Sequence, residues 1–324
     1  MRILITGGGG FLGQKIARAL AQSGRLRGAE IAALTLADLH TPHAVVADFP
    51  VATLACDVSD PAACHRLFRD DFDVIFHLAA IVSGAAEADF DLGLRVNLFG
   101  TMHVLDAARA QQAATGQAPI VVYASSVAVH GGEVPDPVPE GAELNPQTSY
   151  GTQKSMGELL LQDMSRKGFV DGRGLRLPSV SIRPGKANAA ASSFMSSIFR
   201  EPLQGHPANC PVDRSYGVWH TAPRIVVANF LHAAEIDGAD LGFNRNINLP
   251  GRSDSIGEMI DAMVEIAGPA PADLITWEPD PAVEEIALGW RCVVKHDKAL
   301  RLGFQADRSF ADNVRWFLED DIAG

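Results

Sequence analysis

The chain is poor in cysteine, in aromatic residues and in positive charge. Only 4 of its 324 residues are cysteines, 7% are aromatic, and 39 acidic residues outnumber 27 basic ones, which gives a net charge of −12. Proteins that bind nucleic-acid backbones without regard to sequence carry basic patches, so this balance argues against such a partner. It is compatible with a small anionic substrate, which needs only one or two local cations.

The cysteines are too scattered for a metal site or a disulfide framework. Cys56, Cys64, Cys210 and Cys292 contain no Cys-x-x-Cys pair, so no metal is expected, and free thiols fit a reducing cytoplasm. No run of about eighteen apolar residues occurs, and the glycines at 7–10 interrupt the apolar start that a signal peptide would need. We therefore expect a soluble, cytoplasmic protein without a membrane span.

A glycine-rich turn near the start carries the first functional signal. Arg2–Thr6 predicts a buried parallel strand, four glycines and Phe11-Leu12-Gly13 follow, and residues 15–21 predict a helix. Strand, glycine loop and helix in this order predict a phosphate site, because glycines let the backbone approach a pyrophosphate and the helix start attracts its charge. The alternative is a glycine turn without a ligand.

An acidic residue follows the next strand, about twenty residues beyond the glycine loop. The strand predicted over residues 31–37 ends at Asp38, which is placed to accept hydrogen bonds from the adenosine ribose hydroxyls. This carboxylate would repel a 2′-phosphate, and no arginine follows it directly, so NAD is favoured over NADP. The alternative is an ordinary turn aspartate at a strand end.

Further strands and helices alternate up to residue 126. Asp57 follows another strand and could reach the adenine amino group, Asp60 is predicted to cap a helix, and Ser125-Ser126 follow the fifth strand. The order predicts an α/β fold of the Rossmann type, a doubly wound parallel sheet with ligands beyond the carboxyl ends of its strands. These elements are predicted over residues 52–56, 61–68, 73–80, 89–114 and 118–124.

Tyr150 and Lys154 lie four residues apart and therefore on one face of a helix. An ammonium beneath a phenol favours the phenolate, which makes the tyrosine a general acid/base near neutral pH. Ser126 can hydrogen-bond the same substrate oxygen and orient it. Taken alone, such a pair is more often a solvated helical face.

The ordered motifs resemble those of the extended short-chain dehydrogenase/reductase superfamily, which includes NAD-dependent epimerases and dehydratases. The matching pieces are Thr6 to Gly13, Asp57-Val58, His77 to Ala80, Asn97, Ser125-Ser126, Tyr150 to Lys154 and Arg183-Pro184-Gly185. The resemblance implies that Ser126 and Tyr150 flank the reacting carbon, that Lys154 bonds the nicotinamide ribose, and that Asn97 has a structural or cofactor-side role. Of the two serines, Ser126 matches the family's catalytic position, and Ser125 is the alternative. The predicted cofactor-binding residues are Gly7, Gly10, Phe11, Leu12, Gly13, Asp38, Asp57, Val58, Leu78, Ala79, Ala80, Asn97, Tyr150, Lys154 and Pro184.

The second half predicts a smaller mixed lobe of short elements. We expect residues 1–185 to form the NAD-binding domain, with later returns to its sheet around 219–250, and residues 186–324 to form mainly a substrate-binding lobe. Strands are predicted over 175–182 and 244–249, a loop over 201–213, and helices over 192–199, 222–236, 255–267, 297–302 and 310–318. The helix over 255–267 is predicted to be capped by Ser255, with Glu258 three residues later. The family commonly forms homodimers through helices that flank the tyrosine helix, and the resemblance implies the same here.

Two departures from the nucleotide-sugar enzymes bear on the substrate. Val129-His130-Gly131 replaces their usual Val-Tyr-Gly, and Pro184-Gly185-Lys186 replaces an aromatic-Asn segment. The pattern is most similar to a branch of the family that oxidises C2 of a four-carbon sugar acid with NAD. Predicted substrate contacts are Ser126 and Tyr150, with Lys186, then His220 and Arg224, as partners for a substrate carboxylate. Alternatives are an epimerase or dehydratase that retains NAD, and a dinucleotide-binding protein without turnover.

Overall fold

The structure is a computed structural model that describes residues 1–185, 193–280, 283 and 293–322. Contacts between residues divide the chain into two compact units. The first comprises Met1–Val129, Thr148–Arg176 and Val227–Ile247, and the second comprises His130–Gln147, Leu177–Val226 and Asn248–Gly324. Each unit is therefore built from three separate segments of the chain.

Strands and helices alternate along the chain. The strands are β1 (Arg2–Thr6), β2 (Arg25–Leu26), β3 (Ala29–Glu30), β4 (Ala33–Asp38), β5 (Val51–Ala55), β6 (Val74–His77), β7 (Ile120–Ser126), β8 (Asp171–Leu177), β9 (Ser179–Val180), β10 (Ala208–Asn209), β11 (Gly217–Thr221), β12 (Asn246–Asn248), β13 (Arg252–Ser255) and β14 (Ile275–Thr276). The α-helices are α1 (Phe11–Ser23), α2 (Pro61–Leu67), α3 (Ser83–Ala88), α4 (Phe90–Gly93), α5 (Gly100–Thr115), α6 (Ser149–Arg166), α7 (Phe194–Arg200), α8 (Pro223–Glu235), α9 (Ile256–Ala267), α10 (Asp297–Arg301) and α11 (Phe310–Phe317).

A seven-stranded sheet forms the centre of the first unit, in the order β12-β8-β7-β6-β1-β4-β5. Strand β1 pairs in parallel with β4 and β6, β4 pairs in parallel with β5, and β6 with β7. The apolar run Ile3–Ile5 is fully buried, as a parallel strand covered on both faces requires. The predicted Rossmann-type parallel sheet is thereby confirmed.

The register of this sheet lines up residues near the carboxyl ends of its strands. Thr6 lies opposite both Ala37 and His77, and His77 lies opposite Tyr123. One row of side chains thus crosses four neighbouring strands. Ligands of such sheets bind just beyond this edge, where the connecting loops start.

The helical pattern predicted over residues 89–114 is confirmed, but it is not one regular α-helix. The structure has α4, a π-helical segment at Leu94–Phe99, and α5. Glycines flank the π-helical segment and allow close packing: a Cβ at Gly93 would lie 2.5 Å from Gln153 Nε2, and one at Gly100 would lie 2.8 Å from Val58 Cγ2. Such π segments are frequently found at functional sites, and this one contains Asn97.

The strand predicted over residues 175–182 is also divided. Strand β8 ends at Leu177, and Ser179–Val180 forms β9 in a separate three-stranded sheet of order β13-β11-β9. Pro178 separates the two strands, and proline has no N–H to continue a ladder of hydrogen bonds. The sequence also missed β11, which pairs in parallel with β9 and antiparallel with β13.

The second unit has its own apolar core, and its helix α9 begins where the sequence predicted a cap. The core includes Ile198, Phe199 and Met259, all with no exposed surface. Helix α9 begins with the predicted capping box, in which the Ser255 hydroxyl accepts from the Glu258 N–H and the Glu258 carboxylate accepts from the Ser255 N–H. None of the helices described has both the length and the apolar composition that crossing a bilayer requires.

Candidate active site

The glycine loop packs so tightly that two of its positions exclude side chains. Gly7 has a φ of +74°, and a Cβ there would lie 2.7 Å from the Ala79 nitrogen. At Gly13 a Cβ would lie 2.3 Å from the Gly7 carbonyl oxygen. The loop therefore lies directly against the residues that follow β6, and helix α1 lies directly against the loop.

The start of α1 is free of side chains that would compete with an anion. Its N-cap, Gly10, provides no side-chain hydrogen bond, and the first turn contains no acidic residue. The helix begins at Phe11, so Leu12 lies in its first turn. Backbone N–H groups at such a helix start attract a pyrophosphate. The residues present therefore fit the phosphates of a dinucleotide.

Asp38 is held at the carboxyl end of β4 beside the glycine loop. Its Oδ2 accepts a hydrogen bond from the Gly9 N–H at 2.9 Å, and its Oδ1 accepts from the Leu39 N–H at 2.7 Å. Both bonds fix the orientation of the carboxylate. The negative charge thus lies next to the loop that would hold the phosphates.

The other predicted cofactor residues lie at strand ends or just beyond them. Asp57 is exposed beyond β5 and accepts from the Ser59 N–H at 2.9 Å, while Val58 is buried. After β6, Leu78 and Ala79 are half-buried and Ala80 is exposed. Pro184 is half-buried in the second unit.

Asn97 joins the loop after β6 to the helix that carries the tyrosine. Its side chain is fully buried; Oδ1 accepts from the Ile81 N–H at 2.9 Å, and Nδ2 donates to Gln153 Oε1 at 2.8 Å. Nδ2 also donates to the Ile81 carbonyl at 3.3 Å. Because the amide bonds the protein at each of its polar atoms, Asn97 orients α6 relative to this loop.

His77 is a neutral, structural histidine. Burial lowers its pKa to about 3, with the Lys154 charge as a smaller cause. Thr101 donates its hydroxyl proton to the Asn97 carbonyl at 2.7 Å, so it can only accept from His77 Nε2, 3.0 Å away. Nδ1 is then the acceptor for the Thr6 hydroxyl at 2.7 Å.

Tyr150 and Lys154 are brought together by the first turns of α6. The Thr148 hydroxyl caps this helix by accepting from the Gly151 N–H at 3.1 Å. The Lys154 side chain is 2% exposed, its ammonium donates to the Ala124 carbonyl at 2.8 Å, and Nζ lies 5.7 Å from the centre of the half-buried Tyr150 ring. Burial lowers the pKa of Lys154 to about 7, against the opposing effect of Glu158.

The two serines at the end of β7 differ in their surroundings. Ser125 is buried and donates its hydroxyl to Glu158 Oε1 at 2.5 Å. Ser126 is half-buried, and its hydroxyl accepts from the Ala128 N–H at 3.1 Å. The Ser125 hydroxyl proton is therefore used in a hydrogen bond inside the protein, while the Ser126 hydroxyl proton is available for another hydrogen bond.

A buried ion pair lies behind the tyrosine helix. Arg176 of β8 donates to Glu158 Oε2 through Nη2 at 2.7 Å and to Oε1 through Nε at 2.9 Å. The Glu158 side chain has no exposed surface, and that of Arg176 is 6% exposed. The pair holds α6 on the sheet, because both charges depend on each other for compensation.

The three residues predicted to bind a substrate carboxylate differ in their surroundings. Lys186 lies outside the described residues. His220 is fully buried, with Nε2 2.9 Å from Asp254 Oδ2. Arg224 forms ion pairs with Glu319 and Asp320, and its guanidinium lies over the Trp316 ring at 5.5 Å.

Sequence reasoning missed Gln153 and Glu158 on the tyrosine helix, and Tyr123 and Arg176 on the strands beside it. Glu158 had a usable signal, since it continues the four-residue spacing of Tyr150 and Lys154 by one more turn. Spacing by itself reads as a surface ion pair between Lys154 and Glu158. Only the fold shows that Glu158 is buried against an arginine 18 residues away.

The family model described as "NAD dependent epimerase/dehydratase family" matches residues 3–220 of this chain. A protein of Cupriavidus necator, named D-erythronate dehydrogenase, is 48% identical over 324 residues, which covers 99% of this chain and 98% of the relative. A D-erythronate dehydrogenase of Haemophilus influenzae is 40% identical over 322 residues, with 99% and 100% covered.

Solved structures give the same fold. The crystal structure of a protein described as the nucleoside-diphosphate-sugar epimerase from Agrobacterium tumefaciens superposes with a TM-score of 0.96 at 44% identity, covering 100% of this chain and 95% of that one. An L-threonine dehydrogenase from Cupriavidus necator superposes with a TM-score of 0.83 at 22% identity, covering 99% of both chains. The second likeness concerns the fold alone.

Proposed function

Because the chain belongs to the NAD dependent epimerase/dehydratase family, and is thus an enzyme of the extended short-chain dehydrogenase/reductase type, we propose that it oxidises a small sugar acid. The substrate we propose is D-erythronate or a close analogue, the oxidised group is its C2 hydroxyl, and the electron acceptor is NAD. Two relatives named D-erythronate dehydrogenase, 48% and 40% identical over almost the whole chain, support this substrate class.

The observation that carries the proposed chemistry is the buried ammonium of Lys154 near the ring of Tyr150. The ammonium donates to the Ala124 carbonyl at 2.8 Å and lies 5.7 Å from the centre of the phenol ring. A positive charge so placed stabilises the phenolate and lowers the tyrosine pKa. Tyr150 is then a general base at a pH where free tyrosine is protonated.

The residues act together on one substrate oxygen. The Tyr150 phenolate takes the proton of the C2 hydroxyl, the Ser126 hydroxyl donates a hydrogen bond to the same oxygen, and Lys154 keeps the phenolate stable. The chemistry that a bound nicotinamide supplies is acceptance of the hydride from C2. The C2–OH group thereby becomes a carbonyl, and one proton remains on Tyr150.

A sugar acid also needs a cationic partner for its carboxylate, and the candidates for this role are Lys186, His220 and Arg224. The charge of Arg224 is already matched by Glu319 and Asp320, and His220 is bound to Asp254. A guanidinium between two carboxylates has little attraction left for a third. Lys186 therefore keeps the first place among the three candidates.

An epimerase that retains NAD is the second candidate function. The observation that favours it is the likeness, at 44% identity, to a structure described as a nucleoside-diphosphate-sugar epimerase. Such an enzyme returns its hydride and builds up no NADH. The two functions therefore differ in a quantity that absorbance measures directly.

The deciding experiment mixes the purified protein with NAD and a panel of four-carbon aldonic acids, and follows NADH at 340 nm. We expect stoichiometric NADH with D-erythronate and none with D-threonate, its C2 epimer, because Tyr150 and Ser126 address one face of C2. If none of the acids in the panel gives NADH and the protein converts a UDP-sugar, the epimerase replaces this proposal.

Deuterium at defined carbons tests the position of oxidation. With D-erythronate deuterated at C2 we expect transfer of the label to NADH, detected by mass spectrometry, and a slower reaction. The matched control is D-erythronate deuterated at C3, for which the label stays in the product. Label transfer from C3 would show that another hydroxyl is oxidised.

Asp38→Ala is expected to weaken the preference for NAD. Loss of a charge-assisted hydrogen bond to the ribose, and of repulsion toward a 2′-phosphate, should reduce the ratio of kcat/KM for NAD over NADP by about 10- to 100-fold. Asp38 also accepts from the Gly9 N–H, so Asp38→Asn is the matched variant: it removes the charge and keeps an acceptor oxygen. An unchanged ratio in both variants would show that another residue reads the ribose.

A further inference from the structure

We propose, on the basis of the proton-transfer role proposed above for Tyr150 and Lys154, that Tyr123 is a positioning residue for this pair. The face of its ring holds the Lys154 ammonium in its charged form close to Tyr150. Nζ lies 4.8 Å from the centre of the Tyr123 ring, closer than the 5.7 Å to the Tyr150 ring. A cation within about 6 Å of a ring centre is attracted by the negative face of the π system.

The Tyr123 ring is held in place from two sides. It lies in register with His77 across the sheet and stacks on that imidazole, with ring centres 5.7 Å apart and planes 21° from parallel. Its hydroxyl reaches into a notch of α6 at Gly157, where a Cβ would lie 2.5 Å from the oxygen. The ring is therefore a rigid surface for the ammonium.

Lys154 needs such a surface because its other compensation is limited. The side chain is 2% exposed, and burial lowers its pKa to about 7. Glu158, one turn further along α6, favours the charged form. Its carboxylate, however, already accepts hydrogen bonds from Arg176 and from Ser125. The Glu158 carboxylate thus compensates the Lys154 ammonium only in part. The faces of the Tyr123 and Tyr150 rings and the Ala124 carbonyl stabilise the remaining positive charge.

Within this unit, the other titratable groups that face the Lys154 ammonium do not take over the role of the Tyr123 ring in stabilising its charge. His77 from β6 is neutral over the working range, since its pKa is about 3. Tyr123 from β7 keeps its proton, because burial raises its pKa well above 10. Tyr150 and Glu158 come from α6 itself.

The sign of the effect follows from the one titratable proton that Tyr150 and Lys154 share once the pair has lost its first proton. That proton gives either phenolate with ammonium or phenol with a neutral amine, and only in the first form is the Tyr150 oxygen the base. Removing the ring face destabilises the ammonium, so the second form gains population. Tyr150 then loses its proton only at higher pH, and the acid limb of the pH–activity profile moves to higher pH.

The chain contains only 3 tyrosines, which makes this shift visible without turnover. Phenolate formation is followed by absorbance at 295 nm in the cofactor-free protein, and Tyr150→Phe identifies the contribution of Tyr150. Tyr123→Phe is the matched control: it keeps the ring and removes a hydroxyl that has no hydrogen-bond partner among the described residues. Tyr123→Leu removes the ring face, and Tyr123→Met does so with a more adaptable side chain if leucine impairs folding.

We expect the Tyr150 midpoint in Tyr123→Leu or Tyr123→Met to rise by about 0.5 to 1.5 pH units, and to stay at the wild-type value in Tyr123→Phe. The acid limb of kcat with D-erythronate should move with it. Equal midpoints in the leucine and phenylalanine variants, both folded by circular dichroism, would overturn the role of the ring. If Tyr150→Phe leaves both the absorbance titration and the turnover unchanged, the proposed base itself is wrong, which is a separate outcome.

Discussion

Tyr150→Phe is expected to reduce kcat by about 10²- to 10⁴-fold while the dissociation constant of the dinucleotide stays within a factor of about three. The substitution removes the phenol oxygen that takes the substrate proton. It keeps the ring near the Lys154 ammonium. Because the substitution leaves the glycine loop and Asp38 unaltered, binding of the dinucleotide is expected to persist. Turnover is measured as NADH formation with D-erythronate, and binding by titration calorimetry.

Tyr216→Phe is the matched control for this experiment. Tyr216 belongs to the second unit, is half-buried, and lies beside Phe194 with ring centres 6.4 Å apart. The same chemical change there should leave kcat within a factor of two of wild type. Retention of more than about a tenth of kcat in Tyr150→Phe would remove Tyr150 from the proton-transfer role.

Glu158→Ala is expected to destabilise the protein by about 3–5 kcal/mol, because it leaves the buried Arg176 guanidinium without its counter-charge. The carboxylate receives hydrogen bonds from Arg176 at 2.7 Å and from Ser125 at 2.5 Å, and its side chain is fully buried. Urea unfolding followed by circular dichroism gives the free energy of unfolding.

A matched control lies on the same helix. Asp163 pairs with Arg166 at 2.7 Å, but the side chains are 52% and 51% exposed, so Asp163→Ala should cost less than about 1 kcal/mol. Replacing both buried partners, as Glu158→Met with Arg176→Met, should recover most of the stability lost in Glu158→Ala. Similar losses for Glu158→Ala and Asp163→Ala would show that burial of the pair contributes little.

Features encoded within a few neighbouring residues were predictable from the sequence. Strand β1 was predicted at its observed bounds, and the caps of α2 and α9 were predicted at Asp60 and Ser255. Each depends on a local rule: an apolar run before glycines, or a side chain that accepts from an N–H two or three residues later. The parallel order of the first strands followed from their alternation with helices.

The misread elements are those in which distant residues decide the local geometry. The helix predicted over 89–114 contains a π segment, and within it Asn97 bonds both Ile81 and Gln153, the latter 56 residues away. Strand β11 was missed because its pairing partners, β9 and β13, lie before and after it with long intervening segments. Periodicity in a short window carries no information about such partners.

The sequence by itself determined the glycine loop, the acid at the end of β4 and the four-residue spacing of Tyr150 and Lys154, because these depend on backbone geometry over a few residues. Only the tertiary structure decided what surrounds that pair. Tyr123 and Ala124 approach the Lys154 ammonium from β7, 30 residues earlier in the chain, and Glu158 is bound by Arg176 from β8. The electrostatic surroundings of a buried charge are set by groups that the sheet brings together, and chain order does not reveal them.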